Sequence, residues 1–163
     1  MTRPADVVPR EELLRLAAAW RAEGKTIALA NGLFDLIHVG HLRYLEDAAT
    51  LADVLVVAIN DDESARALKG PDRPIVVQQE RAELIAGFRC VTVVTIFGEA
   101  TVEALLRALV PDVHCKGTDY TADTVPERET ARELGIRVAI TGDPKNHATR
   151  DLIRRIGGGR AGT

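Results

Sequence analysis

Several large classes of protein are excluded by what this sequence lacks. It has two cysteines in 163 residues, Cys90 and Cys115. They are isolated from each other, so neither a disulfide framework nor a paired zinc site is expected, and a reducing, cytoplasmic compartment is. No apolar run approaches the ~18–20 residues of a membrane span. The longest, residues 52–59, already contains Asp53. No apolar signal core follows the first six residues, so no leader is expected. Gly-x-Gly-x-x-Gly and Gly-Lys-Ser/Thr are both missing, which argues against a dinucleotide fold and a kinase-type phosphate loop. No internal repeat is visible. An excess of basic charge is lacking too: 24 acidic side chains face 21 basic ones, for a net charge of −3. That balance predicts neither nucleic acid nor a membrane surface as partner.

What is present is an ordinary globular composition, 46% hydrophobic and 28% charged, at a length that suits one domain. Leu13, Leu16, Ala17 and Trp20 recur at helical spacing, and Gly24 ends that helix. Residues 26–30 form a short apolar run, the first strand candidate. Leu42, Leu45, Ala49 and Ala52 mark the next helix. Residues 53–60 are rich in Val and Ile, as in a strand buried on both faces. Helical patterns at 79–88, 102–109, 127–134 and 152–156 then alternate with strand patterns at 91–97, 113–115 and 137–141. This alternation predicts an α/β fold, a Rossmann-like open parallel sheet with helices on both faces. Residues 1–24 are expected to pack on the domain as an N-terminal helix. Residues 25–156 would form the domain itself, and 157–163 a mobile tail.

In such sheets ligands bind beyond the carboxyl ends of the strands. The first of these ends carries the strongest signal, Asn31-Gly32-Leu33-Phe34-Asp35-Leu36-Ile37-His38-Val39-Gly40-His41. Gly32 permits a tight turn. Gly40 allows a backbone to approach a ligand at the start of a helix. His38 and His41, three residues apart, share one face of the first helical turn. A helix N-terminus already favours anions, and two imidazoles there suit charge building on a phosphate. The same pair is compatible with surface or capping residues. A His-x-x-His metal site lacks a third ligand, so no protein-held metal is expected.

The string at 31–41 resembles the signature of the cytidylyltransferase-like nucleotidyltransferases. Two further stretches are similar to the adenylyltransferase domain of bacterial ADP-heptose synthesis enzymes, the D-glycero-D-manno-heptose 1-phosphate adenylyltransferases. They are Leu68-Lys69-Gly70-Pro71-Asp72-Arg73-Pro74, and Pro111-Asp112 followed by Lys116-Gly117-Thr118-Asp119-Tyr120. The resemblance implies transfer of AMP from ATP to a sugar 1-phosphate, by in-line attack and with release of pyrophosphate. It implies that His38, His41 and Lys69 act on the reacting phosphates. Asn31, Gly32, Phe34, Asp35, Gly40, Lys116, Gly117, Asp119, Thr149 and Arg150 would line the nucleotide. Arg73, Arg81 and Arg89 would meet the substrate phosphate, since guanidinium forks suit phosphate oxygens. Mg2+ would arrive with the triphosphate. Relatives are often dimers, so a homodimer is a possible assembly.

Two departures keep other readings in play. Relatives open the last helix with a run of hydroxyl residues; here it reads His147-Ala148-Thr149-Arg150. A nucleotide-binding module without turnover is the reading this motivates. The spacing of Arg81 and Arg89 is closer to the cytidylyltransferases, which makes CTP with glycerol 3-phosphate or another small phosphate the alternative. Asp61 and Asp62 read as helix caps and Cys115 as a buried apolar residue. Trp20 and Phe88 read as core, His114 and His147 as incidental. Positive charge is expected to gather around Lys69, Arg73, Arg81, Lys116 and Arg150.

Overall fold

A computed structural model describes residues 4–144 and 149–157. In chain order its elements are β1 (Asp6–Val7), α1 (Arg10–Ala22), β2 (Ile27–Gly32), α2 (Val39–Ala49), β3 (Val54–Asn60), α3 (Asp62–Lys69) and α4 (Gln78–Ala86). There follow β4 (Val93–Phe97), α5 (Glu103–Leu109), β5 (Val113–Gly117), α6 (Arg128–Glu133), β6 (Arg137–Thr141) and α7 (Thr149–Gly157). The strands form one sheet in the order β1-β4-β3-β2-β5-β6, and every pairing is parallel.

Each central strand is apolar on both faces because both faces are covered. Ala28, Ala30, Leu55, Val57 and Ile59 point one way, onto Leu45 and Ala48 of α2 and Ala82 and Ile85 of α4. Ile27, Leu29, Val54, Val56 and Ala58 point the other way, onto Leu13 and Ala17 of α1 and Leu105, Leu106 and Leu109 of α5. The two-residue period of a strand separates the sets. Strand order descends from β4 to β2 and then jumps to β5. The chain therefore departs in opposite directions on either side of the β2/β5 boundary, the switch point at whose carboxyl ends open parallel sheets form their ligand crevice.

Two elements are absent from the sequence pattern. β1 is too short for any periodicity; it is fixed by the Val8 N–H to Val94 O bond and the Ala5 N–H to Ala86 O bond, both 2.9 Å. α3 has no apolar stripe. Its start is set by Asp61, whose carboxylate accepts the Ser64 N–H at 2.7 Å. Asp62 and Glu63 in its first turn and Arg66 and Lys69 in its last complement the helix dipole. α2 stops short of Ala52: the Thr50 hydroxyl donates to Asp47 O at 2.6 Å and Leu51 N–H to Ala48 O. β2 and β5 run on to Gly32 and Gly117 because Ile59 and Thr141 extend the ladders beside them. The tail expected at 157–163 lies outside the described residues from 158 onward.

The cap on α3 depends on Gly98, which follows β4. A Cβ there would sit 2.6 Å from Asp61 Oδ2. Gly98→Ala should displace the carboxylate and cost about 1 kcal/mol, the usual worth of an N-cap. Urea unfolding of the single variant, and of the same change in an Asp61→Ala background, checks this. In that background the added cost should largely vanish.

Candidate active site

The turn from β2 into α2 crosses the mouth of the crevice. Phe34 (φ 52°) and Leu36 (φ 50°) adopt the left-handed region, which is unfavourable for bulky side chains. The Asp35 carboxylate between them holds the turn in place. It is 2% exposed and accepts three N–H donors: Arg73 Nε at 2.7 Å, Ile75 N at 2.9 Å and Val76 N at 3.0 Å. Burial works to raise its pKa, but the Ile75 and Val76 N–H groups and the Arg73 guanidinium prevail and hold it below the ordinary carboxylate range. The Asp35 carbonyl accepts the Thr149 hydroxyl at 2.8 Å, which docks the start of α7 on the same turn.

His38 is the N-cap of α2. Its Nδ1 accepts the Gly40 N–H at 3.1 Å, and the His38 N–H donates to His41 Nδ1 at 3.3 Å. Two orphan donors of the helix start are thereby satisfied by two imidazoles. The chemical consequence concerns the tautomer. With both Nδ1 atoms accepting, the neutral rings carry their protons on Nε2. The ring centroids lie 3.9 Å apart. Beneath them Phe34 is buried against His41 (5.4 Å) and stacks on Tyr44 (6.3 Å). The Tyr44 hydroxyl donates to Cys115 O at 2.8 Å, tying α2 across to β5. Burial pushes the Cys115 thiol up to about 12, so it is a packing residue.

The opposite wall is polar. Asn31, at the end of β2, accepts through Oδ1 from His114 Nε2 at 2.9 Å. His114 is fully buried, and its Nδ1 has no hydrogen-bond partner. Lys116, 6% exposed, lies 3.6 Å from Glu127 and 4.7 Å from the centre of the Tyr120 ring. Burial lowers its pKa, and the Glu127 carboxylate opposes the fall.

The structure thus brings Asn31, Gly32, Phe34, Asp35, His38, Gly40, His41, Arg73 and Thr149 around one turn, with Lys116 and Gly117 ending the adjacent strand. Asp119 follows in an exposed turn, and Arg150 is exposed beside Thr149. Lys69 ends α3 on an exposed stretch, just before Gly70 (φ 104°) turns the chain back. Arg81 turns inward instead. It is 0% exposed, and its nitrogens bond Val76 O at 2.8 Å, Leu33 O at 2.5 Å and Asp62 at 2.8 Å. It stitches α4 to both active-site loops from behind, and its donors are committed to protein acceptors. Arg89 lies elsewhere. It sits in the turn between α4 and β4, where Thr92 N–H bonds Leu55 O near the start of β3. That is the amino end of the sheet, opposite the crevice within this chain. His147 and Ala148 lie outside the described residues.

The expected pool of positive charge is also answered locally. Arg73, Arg81 and Lys116 pair with Asp35, Asp62 and Glu127. Of these acids, Glu127 escaped sequence reasoning altogether, as did Tyr44. Tyr44 had a usable signal, standing three residues past His41 on the buried helical stripe. Glu127 had only its place as the first residue of the helical pattern 127–134. Among the described residues no group of three or more His, Cys, Asp or Glu is arranged to hold a metal ion. Nor, among them, is any helix long and apolar enough to cross a membrane.

An open parallel sheet, with a histidine-capped helix starting at its switch point, is the arrangement of the α/β nucleotidyltransferases. The chain belongs to the cytidylyltransferase-like family, whose model matches residues 29–153. It is 42% identical over 147 residues to the bifunctional protein HldE of Syntrophotalea carbinolica, covering 90% of this chain and 30% of that one. It is 46% identical over 151 residues to the bifunctional protein HldE of Koribacter versatilis, covering 93% and 31%. The chain therefore spans about a third of the length of these curated relatives. Its fold is that of a lipopolysaccharide core biosynthesis protein from Thermoplasma volcanium, with a TM-score of 0.65 and 24% identity, over 75% of this chain and 100% of that one.

The imidazoles of His41, half-buried, and His114, buried, give a pH dependence. Burial first, and then His38, push His41 down to about 4; burial and then Lys116 push His114 down to about 3. Unfolded, both titrate near 6.5. Between these values the unfolded chain binds more protons, so stability is complete above pH ~6.5 and declines below it. By pH 5 the loss should reach roughly 1–2 kcal/mol for each imidazole. Urea midpoints at pH 7.5, 6 and 5 check this, and His114→Gln should flatten the slope. Equal stability at pH 7.5 and 5 would contradict it.

Proposed function

We propose that the protein transfers AMP from ATP to a sugar 1-phosphate of the heptose 1-phosphate type and releases pyrophosphate. One observation carries the reading: two imidazoles at the first turn of α2, each accepting a backbone N–H at Nδ1 and so leaving Nε2 to carry the proton of the neutral ring, beside the β2/β5 switch point. Neutral N–H donors at a helix N-terminus suit a triphosphate twice over. They add to the pull of the dipole, and they need no reorganisation as charge grows on the reacting phosphate. An oxygen of the acceptor phosphate attacks the α-phosphorus in line. The new P–O bond forms as the bond to the β-phosphate oxygen breaks, and pyrophosphate leaves without a covalent enzyme intermediate. Catalysis is then positioning and charge neutralisation.

His41 lies closest to the reacting phosphate in this account, with His38 beside it. Lys69 and Arg150 supply positive charge from the two flanking helices. Lys116, Gly117 and Asp119 receive the nucleoside end. Arg73 meets the acceptor phosphate while Asp35 keeps its guanidinium in place. Mg2+ enters with ATP, held by phosphate oxygens and water. The CTP alternative drew on the pair Arg81 and Arg89, and these two lie apart, one inside and one at the far end of the sheet. That favours ATP.

The test is pyrophosphate release with Mg2+, ATP or CTP, and a panel of sugar and polyol phosphates. ATP with heptose 1-phosphate should be the productive pair. Release with CTP alone would sink the base assignment. Nucleotide binding without release from any acceptor would favour a module without turnover. In the productive pair His41→Ala should lower kcat/KM by about 10²–10³-fold, the usual cost of a preorganised donor. Unchanged turnover would refute its role.

A further inference from the structure

Lys116 and Glu127 form a buried pair at the crevice wall. The lysine comes from the last turn of the β5 ladder and the glutamate from the N-cap of α6, at 8% and 4% side-chain exposure. Such a pair adds little to stability over two apolar side chains of the same volume. Its use is therefore to be sought in the charge it keeps at this wall. At 3.6 Å the two are joined by charge rather than by a close hydrogen bond, and Glu127 Oε2 has no hydrogen-bond partner. The Tyr120 ring, 4.7 Å from the ammonium, closes over it from the turn after β5 and favours its charged form.

We propose that Glu127 is a positioning residue that keeps Lys116 charged and held at the end of β5 for the bound nucleotide. The inference rests on the reading of this crevice as a nucleotide site. Without a carboxylate opposite, a buried ammonium gives up its proton readily, and the site loses a cation as pH rises. The other titratable groups around the pair are Tyr120 and Asp119 in the turn, His114 two residues back on β5, and Tyr44 from α2. Asp119 is the one carboxylate among these, and it is exposed in the turn, whereas Glu127 is buried beside the ammonium.

The experiment compares wild type, Glu127→Gln and Glu127→Asp. ATP affinity with Mg2+ is measured by calorimetry from pH 6 to 9, and Lys116 is titrated by NMR of [13Cε]lysine. An opposite charge at this range moves a titration by roughly one to three pH units. Glu127→Gln should therefore lower the Lys116 midpoint by about one unit or more. It should weaken ATP binding increasingly as pH rises toward 9, by at most about tenfold per unit of that shift, with little change at pH 6. Glu127→Asp should restore most of both. An equal loss at every pH, which a purely structural pair predicts, would overturn the proposal, and so would an unmoved lysine midpoint. Should Glu127→Gln not fold, Glu127→Asp alone decides: a smaller downward shift of the lysine midpoint supports the proposal, and no shift overturns it. If wild type fails to bind ATP, the nucleotide reading falls and this inference with it. If wild type binds and Glu127→Gln matches it at all pH values, this inference alone falls.

Discussion

Three N–H donors converge on the Asp35 carboxylate in the interior of the protein, and the rest of the site depends on that convergence. A carboxylate so buried would be costly without partners. Here its partners come from the segment between α3 and α4, so satisfying the charge brings that segment onto the β2–α2 turn. The turn in turn keeps Phe34 and Leu36 in a backbone region they would otherwise avoid. Thr149 adds α7 through the Asp35 carbonyl. One residue thus joins three stretches distant in sequence, and places Arg73 and the histidine pair at the same mouth.

The treatment of charge is consistent across the crevice. The protein carries a net charge of −3, and the cations near the crevice are paired locally. Arg73, Arg81 and Lys116 each have an acidic partner within the fold. Buried cations are held by buried or half-buried acids, which fixes their geometry before any ligand arrives. At the start of α2 the His38 and His41 rings are held instead by backbone N–H groups donating to their Nδ1 atoms.

Much of this was legible in the residues. The two-faced apolar strands 53–60 and 26–30 announce a covered parallel sheet, because a half-exposed strand would alternate. The 31–41 string announces a turn into a helix start, because glycine and histidine at those spacings suit one, and His38 does cap α2. Less legible were features whose cause lies far along the chain. α3 forms without an apolar stripe, through a cap and a dipole. Arg81 carries a charge, and only tertiary structure says that Leu33, Val76 and Asp62 surround it. His114 meets Asn31 across 83 positions, and Glu127 meets Lys116 only once β5 and α6 are packed. Arg89 belongs to a motif by spacing alone; α4 carries it to the wrong end of the sheet.

The central claim is that α2 begins with two imidazoles held as Nε2–H donors to a nucleotide phosphate. Long-range 1H–15N NMR of His38 and His41 at pH 7, before and after adding ATP with Mg2+, tests it most directly. The account predicts a bare Nδ1 and a protonated Nε2 on both rings, with the Nε2–H signals moving when ATP is added. A proton on Nδ1 of either ring, or signals unmoved by saturating ATP, would contradict it.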